Sequence, residues 1–214
     1  PNIYNISLTG KSIGFEKVTL ANNNASKASP VILSKQTQES DTEFNKTAQE
    51  IRNEIQYKDY TRAEILLNAS AYKYRTDGWK LAEVASLYQQ INNSSKAEVI
   101  YDKAVSLNPK RIELLYNYAV CLYKNGKGDK SEKVLNDLLK INPQFTLAYY
   151  NLGNILYKKG RYIESLAAYK EAVRLNPLCA DAYYNIAMVL EAMKQNTLAQ
   201  KYYDICLKLK PADI

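Results

Sequence analysis

The 214-residue chain contains no histidine. That removes Ser-His-Asp and Cys-His catalysis, histidine ligation of zinc, and the readiest general base near neutral pH. Cysteine is scarce too. Cys121, Cys179 and Cys206 stand far apart, with no Cys-x-x-Cys pair and no metal-ligand spacing. Unclustered thiols of this kind favour a reducing, cytoplasmic setting. No apolar run approaches the length that crosses a bilayer, so membrane insertion is not expected. No leader is visible, but the chain opens at Pro1 and we read it as part of a longer protein. The expectation is therefore no catalytic residues, no metal and no cofactor.

A block of one charge is also missing. The net charge is +7, and it is spread out. Residues 1–77 carry +1, and 78–111, 112–145, 146–179 and 180–214 carry +2, +1, +3 and 0. Without a cationic stripe, nucleic acid is not an expected partner. Gly10-Lys11-Ser12 has the ending of a phosphate-binding loop, but the leading glycine would fall at residue 5, which is Asn5.

What the chain does have is a period. Pro109, Pro143, Pro177 and Pro211 are evenly spaced, 34 residues apart. A fixed period of this size marks a stack of helical hairpins. If each proline is position 32, position 8 reads Ala85, Ala119, Gly153 and Ala187. Position 20 reads Ala97, Ser131, Ser165 and Ala199. Small residues on both helices let the pair approach closely. Positions 4, 7 and 11 are large and mostly apolar, at helical rather than alternating spacing. Position 24 supplies Tyr101, Leu135, Tyr169 and Tyr203 beside the small contacts.

On these residues the chain resembles the tetratricopeptide (TPR) repeat family. Its pattern has a large residue at 4, small ones at 8 and 20, an aromatic at 24, Ala at 27 and Pro at 32. Position 27 reads Ala104, Leu138, Ala172 and Cys206, so the second repeat departs from it. The resemblance implies an all-α helix-turn-helix solenoid wound as a right-handed superhelix. The repeats expected are 78–111, 112–145, 146–179 and 180–214, preceded by a degenerate pair at 41–77. Ser40 with Glu43 reads as a capping box opening that pair. Residues 1–40 form a short non-helical extension, extended and flexible, with a hairpin suggested by 2–8 and 12–20 around Thr9-Gly10-Lys11.

The family holds peptides or partner proteins in a groove lined by the stripe of the first helix opposite its core. Here position 6 reads Asn117, Asn151 and Asn185 after Glu83, and position 9 includes Asn154 and Met188. Position 5 adds Tyr116, Tyr150 and Tyr184. These eight residues are the expected partner-binding site, since an amide offers both donor and acceptor to an extended backbone. The chaperone-binding members clamp a terminal carboxylate with lysine and arginine. This chain offers Ala82, Ser86, Asn117, Leu147 and Asn151, or Tyr116, Val120, Asn151, Asp181 and Asn185 one repeat later, and neither set holds a cation.

The function expected is a non-catalytic interaction module for an extended peptide or partner segment. The alternatives are a structural subunit of a larger assembly and the recognition arm of a larger enzyme such as a glycosyltransferase. The last helix, 197–209, is apolar over an arc of about 200°. Self-association end to end is expected there through Leu198, Tyr203 and Leu207.

Overall fold

The computed structural model describes residues 35–209. Every regular element among them is an α-helix, and the hairpin expected at 2–20 lies outside them. The chain divides after Asn108 into two compact units, taken in turn.

The first unit holds α1 (Lys35–Gln56), α2 (Tyr60–Lys73), α3 (Gly78–Gln90) and α4 (Ser94–Leu107). Asp59, Asp77 and Asn93 cap α2, α3 and α4 by accepting backbone N–H groups of the first turn. Ser40 does not cap α1, which is already helical from Lys35. Its hydroxyl instead meets the Lys80 ammonium of α3 at 2.9 Å. Lys80 is buried against the Phe44 and Tyr74 rings and pairs with Asp41 at 2.8 Å. Burial alone would lower its pKa, but Asp41 and Asp77 more than offset that and hold it above the usual lysine range. Arg52 of α1 pairs with Glu83 of α3. Charge therefore joins the first helices of neighbouring hairpins here.

The second unit holds α5 (Ile112–Lys124), α6 (Gly128–Ile141), α7 (Thr146–Lys158), α8 (Tyr162–Leu175), α9 (Ala180–Ala192) and α10 (Asn196–Leu209). The helices pair as α5/α6, α7/α8 and α9/α10, and α5 also touches α7. Ala119, Gly153 and Ala187 are buried where partner helices cross. The serines at position 20 have a role that size alone does not show. Ser131 Oγ donates to the Ala119 carbonyl at 2.7 Å, and Ser165 Oγ to that of Gly153 at 2.8 Å. Each hydroxyl fastens a second helix to its first and is thereby satisfied in the core. Gly153 sits tight against the partner helix. A Cβ there would lie 2.6 Å from the Tyr169 ring.

The turns inside the hairpins repeat one backbone conformation. Lys58 and Asn92 in the first unit, and Gly126, Gly160 and Lys194 in the second, all have φ between 58° and 75°. All five fall at position 15. The next residue's N–H reaches back to the helix five residues earlier, as with Lys127 to Leu122 and Gln195 to Leu190. This is the left-handed C-terminal cap that glycine adopts without strain and lysine does not.

Candidate functional site

In the second unit the stripe expected to bind a partner is joined by hydrogen bonds. Position 6 of one first helix faces position 5 of the helix before it. Asn151 Nδ2 on α7 donates to Tyr116 Oη on α5 at 3.0 Å. Asn185 Nδ2 on α9 donates to Tyr150 Oη on α7 at 3.2 Å, the same link one repeat on. Asn154 connects the two. Its Oδ1 accepts from Asn185 at 3.2 Å and from the Tyr169 hydroxyl of α8 at 2.6 Å. Its Nδ2 meets Asn151 Oδ1 at 3.5 Å.

The asparagine amides are thus largely engaged with the protein itself, which the sequence pattern did not reveal. Asn185 is only 1% exposed, and its Oδ1 is buried with no partner. Asn151 and Asn154 are half-buried. Asn117 is the exception. Its side chain is itself buried, at 8% exposure, and no hydrogen bond joins it to the other described residues.

The three position-5 tyrosines are half-buried, each backed by an aromatic ring. Tyr116 leans on Phe145 at 5.3 Å, Tyr150 on Tyr169 at 5.8 Å, and Tyr184 on Tyr203 at 5.4 Å. Burial pushes the Tyr116 and Tyr150 phenols up from their ordinary pKa, and the asparagine hydrogen bonds offset this only in part. Both stay protonated across the physiological range. Among the described residues, no hydrogen bond from the Tyr116, Tyr150 or Tyr184 hydroxyl to an acceptor is seen, though the Asp181 carboxylate lies close enough to Tyr150 to help raise its pKa. None of the eight residues carries a charge. The row can therefore recognise by ring faces and phenolic hydroxyls.

The residues expected at the chain's end are divided by the structure. Leu207 is 64% exposed and Leu198 38%. Tyr203 turns inward instead. Its hydroxyl donates to Glu191 Oε2 at 2.8 Å and meets Met188 Sδ at 3.1 Å. Among the residues of α10, only Ala199 is fully buried.

Fold and row together define a helical-hairpin repeat protein. A TPR-repeat family model matches residues 153–194, and two tetratricopeptide-repeat models match 92–154 and 180–213. These matches run unbroken over more than half the chain, and the chain belongs to the tetratricopeptide repeat family. No curated protein matches it. Among solved structures, the MamA protein is 18% identical, with a TM-score of 0.69 over 78% of this chain and 91% of its own. PilF of Pseudomonas aeruginosa is also 18% identical, with a TM-score of 0.65 over 81% of this chain and 79% of its own. YrrB, described as a TPR protein with an unusual peptide-binding site, is 17% identical, with a TM-score of 0.64 over 78% and 86%. At these identities the likeness is one of fold. Family membership supports a role in protein–protein interaction. Among the described residues, no helix is long and apolar enough to cross a membrane.

Proposed function

We propose that this protein is a non-catalytic interaction module that takes an extended peptide or partner segment along the first helices of its second unit. Tyr116, Asn117, Tyr150, Asn151, Asn154, Tyr184, Asn185 and Met188 line the row. The observation that carries this reading is the hydrogen-bonded chain running from Tyr116 through Asn151 and Asn154 to Asn185. It holds rings and hydroxyls in a fixed order across three repeats, and such preorganisation lowers the cost of binding. YrrB, of similar fold, is a precedent for peptide binding on this architecture.

Val120, at position 9 of α5, is partly exposed beside the row. Selection of peptides from a random displayed library, repeated with Val120→Arg, tests the reading. Peptides that bind the native chain and lose affinity at least tenfold for Val120→Arg, with unchanged melting, are the expected result. Selected peptides indifferent to Val120→Arg would overturn it. A second reading, docking by the outer surfaces as a subunit of an assembly, is favoured by Ile163 (75% exposed) and Leu178 (77%). Apolar side chains so exposed gain from being covered. A selection that returns no peptide for the row would favour that alternative.

A further inference from the structure

We propose that residues 12–20 of this chain dock on the outer face of α2 and α4, through apolar contact and an ion pair between Glu16 and Arg75. The proposal concerns the first unit alone and does not depend on the partner row.

Ile65, Ala69 and Tyr72 follow one another at i, i+4 and i+7, on one side of α2. Ile65 is 63% exposed and Tyr72 73%, and Ala69 between them is exposed as well. Val99 of α4, 71% exposed, extends the patch. The two helices adjoin there, because Lys96 of α4 reaches Glu64 of α2 at 2.7 Å and Asn68 at 3.2 Å. Ile65 and Val99 both stand at position 22, which in the second unit holds Lys133, Ala167 and Lys201. Large apolar side chains so exposed gain from being covered.

A cation closes one end of the patch. The Arg75 guanidinium lies 4.9 Å over the Tyr72 ring, and its Nη1 donates to the Tyr72 carbonyl. Nearby, Lys73 pairs with Glu43 and Lys96 with Glu64. Among the described residues no carboxylate pairs with Arg75. The patch therefore suits an apolar segment that carries one carboxylate at its end.

Residues 12–20, Ser-Ile-Gly-Phe-Glu-Lys-Val-Thr-Leu, have that pattern. In an extended run, residues two apart share a face, which groups Glu16, Val18 and Leu20. Glu16 to Leu20 spans about 13 Å, and Tyr72 to Ile65 about 10 Å along α2. With Glu16 on Arg75, Val18 and Leu20 fall along Tyr72, Ala69 and Ile65. The connection is long enough. Phe44 of α1 packs on Tyr74 just past α2, so α1 starts at Lys35 about 13 Å beyond that end. The way back from Lys35 to Ile65 is then about 24 Å. Residues 21–34 are polar for most of their length, and fourteen residues of such chain reach about 20 Å on average and about 48 Å at full stretch. A tether of this length holds its end at a roughly millimolar effective concentration, an advantage that a second copy or a free partner lacks.

The test is amide hydrogen exchange of the full chain, read by mass spectrometry over 12–20 and compared with a free peptide of that sequence. The variants are Ile65→Glu, Glu16→Arg, and Glu16→Arg combined with Arg75→Glu. Ile65 and Arg75 are exposed, so the helices should be unaffected, as a melting curve checks. In the native chain 12–20 should exchange at least tenfold more slowly than the free peptide, at every protein concentration. Ile65→Glu should return it to the free rate. Glu16→Arg should speed exchange about fivefold, and adding Arg75→Glu should restore most of the protection. Exchange as fast as in the free peptide, or protection that survives Ile65→Glu, would overturn the proposal. So would protection that fades on dilution, which would assign the face to a second copy. A charge swap that restores nothing would remove the pairing with Arg75, and with it the case for this segment.

Discussion

Replacing Gly153 by alanine is the most exacting check on the packing. The added Cβ would sit 2.6, 2.7 and 2.8 Å from three carbons of the Tyr169 ring. Carbon contacts are comfortable near 3.5–4 Å, so the ring must retreat by about 1 Å. Tyr169 has little freedom to do so. It is fully buried, and its hydroxyl is bonded to Asn154 at 2.6 Å. Overpacking a filled core costs about 1–3 kcal/mol, and a weakened hydrogen bond adds about 0.5–1.5 kcal/mol. Alanine gains about 1 kcal/mol over glycine inside a helix. Overpacking wins, for a net loss of about 2 kcal/mol. Urea unfolding followed by circular dichroism measures it. Gly153→Leu should go further and melt the α7/α8 hairpin. Residues 112–145 already show the remedy, pairing Ala119 with Leu135 at the equivalent places. Gly153→Ala with Tyr169→Leu should therefore lose less than the two single changes together. A Gly153→Ala variant as stable as the native chain, or strictly additive losses, would refute the packing argument.

Other consequences are as direct. Lys194 holds φ 60° where Gly126 and Gly160 hold 75° and 73°. Lys194→Gly should therefore stabilise by about 1 kcal/mol, seen as a higher urea midpoint. Burial raises the phenols of Tyr88, pushed up to about 12, and of Tyr116, Tyr150 and Tyr169. Above pH 10 the unfolded chain sheds phenolic protons that the folded chain keeps, so stability should fall from pH 10 towards 12. A melting temperature constant through pH 11 would contradict the burial of these hydroxyls. Leu207→Glu should abolish any concentration-dependent sedimentation without loss of helix, whereas Tyr203→Glu should destabilise α10 by setting a second carboxylate beside Glu191. A chain that stays monomeric at high concentration would dispose of end-to-end association.

The period and the small residues at positions 8 and 20 were enough to read the hairpins, because close helix crossings leave no room for alternatives at Ala119, Gly153 or Ala187. The turns were legible only where glycine marks them. At Lys58, Asn92 and Lys194 the left-handed conformation is imposed by the hairpin against the residue's own preference. The site was half legible. Both columns, tyrosine and asparagine, stand in the sequence, but their bonding depends on which side chains meet across separate helices 35 residues apart. A stripe opposite the core is expected to be exposed, yet Asn185 is almost wholly buried because Tyr150 and Asn154 close over it. Tyr203, read as part of an exposed face, turns instead to Glu191 and Met188.

The tyrosine–asparagine link also bears on how such a chain lengthens. Each of the units 146–179 and 180–214 carries both halves, an asparagine for the neighbour before it and a tyrosine for the neighbour after it. A duplicated copy of 146–179 would join correctly at both ends, extending the row by one tyrosine and no mismatched amide. Copying 78–111 would insert Ala82 and Glu83 and sever the row. The middle of this chain is therefore self-templating: a tandem copy adds one repeat with both halves of the link already in place.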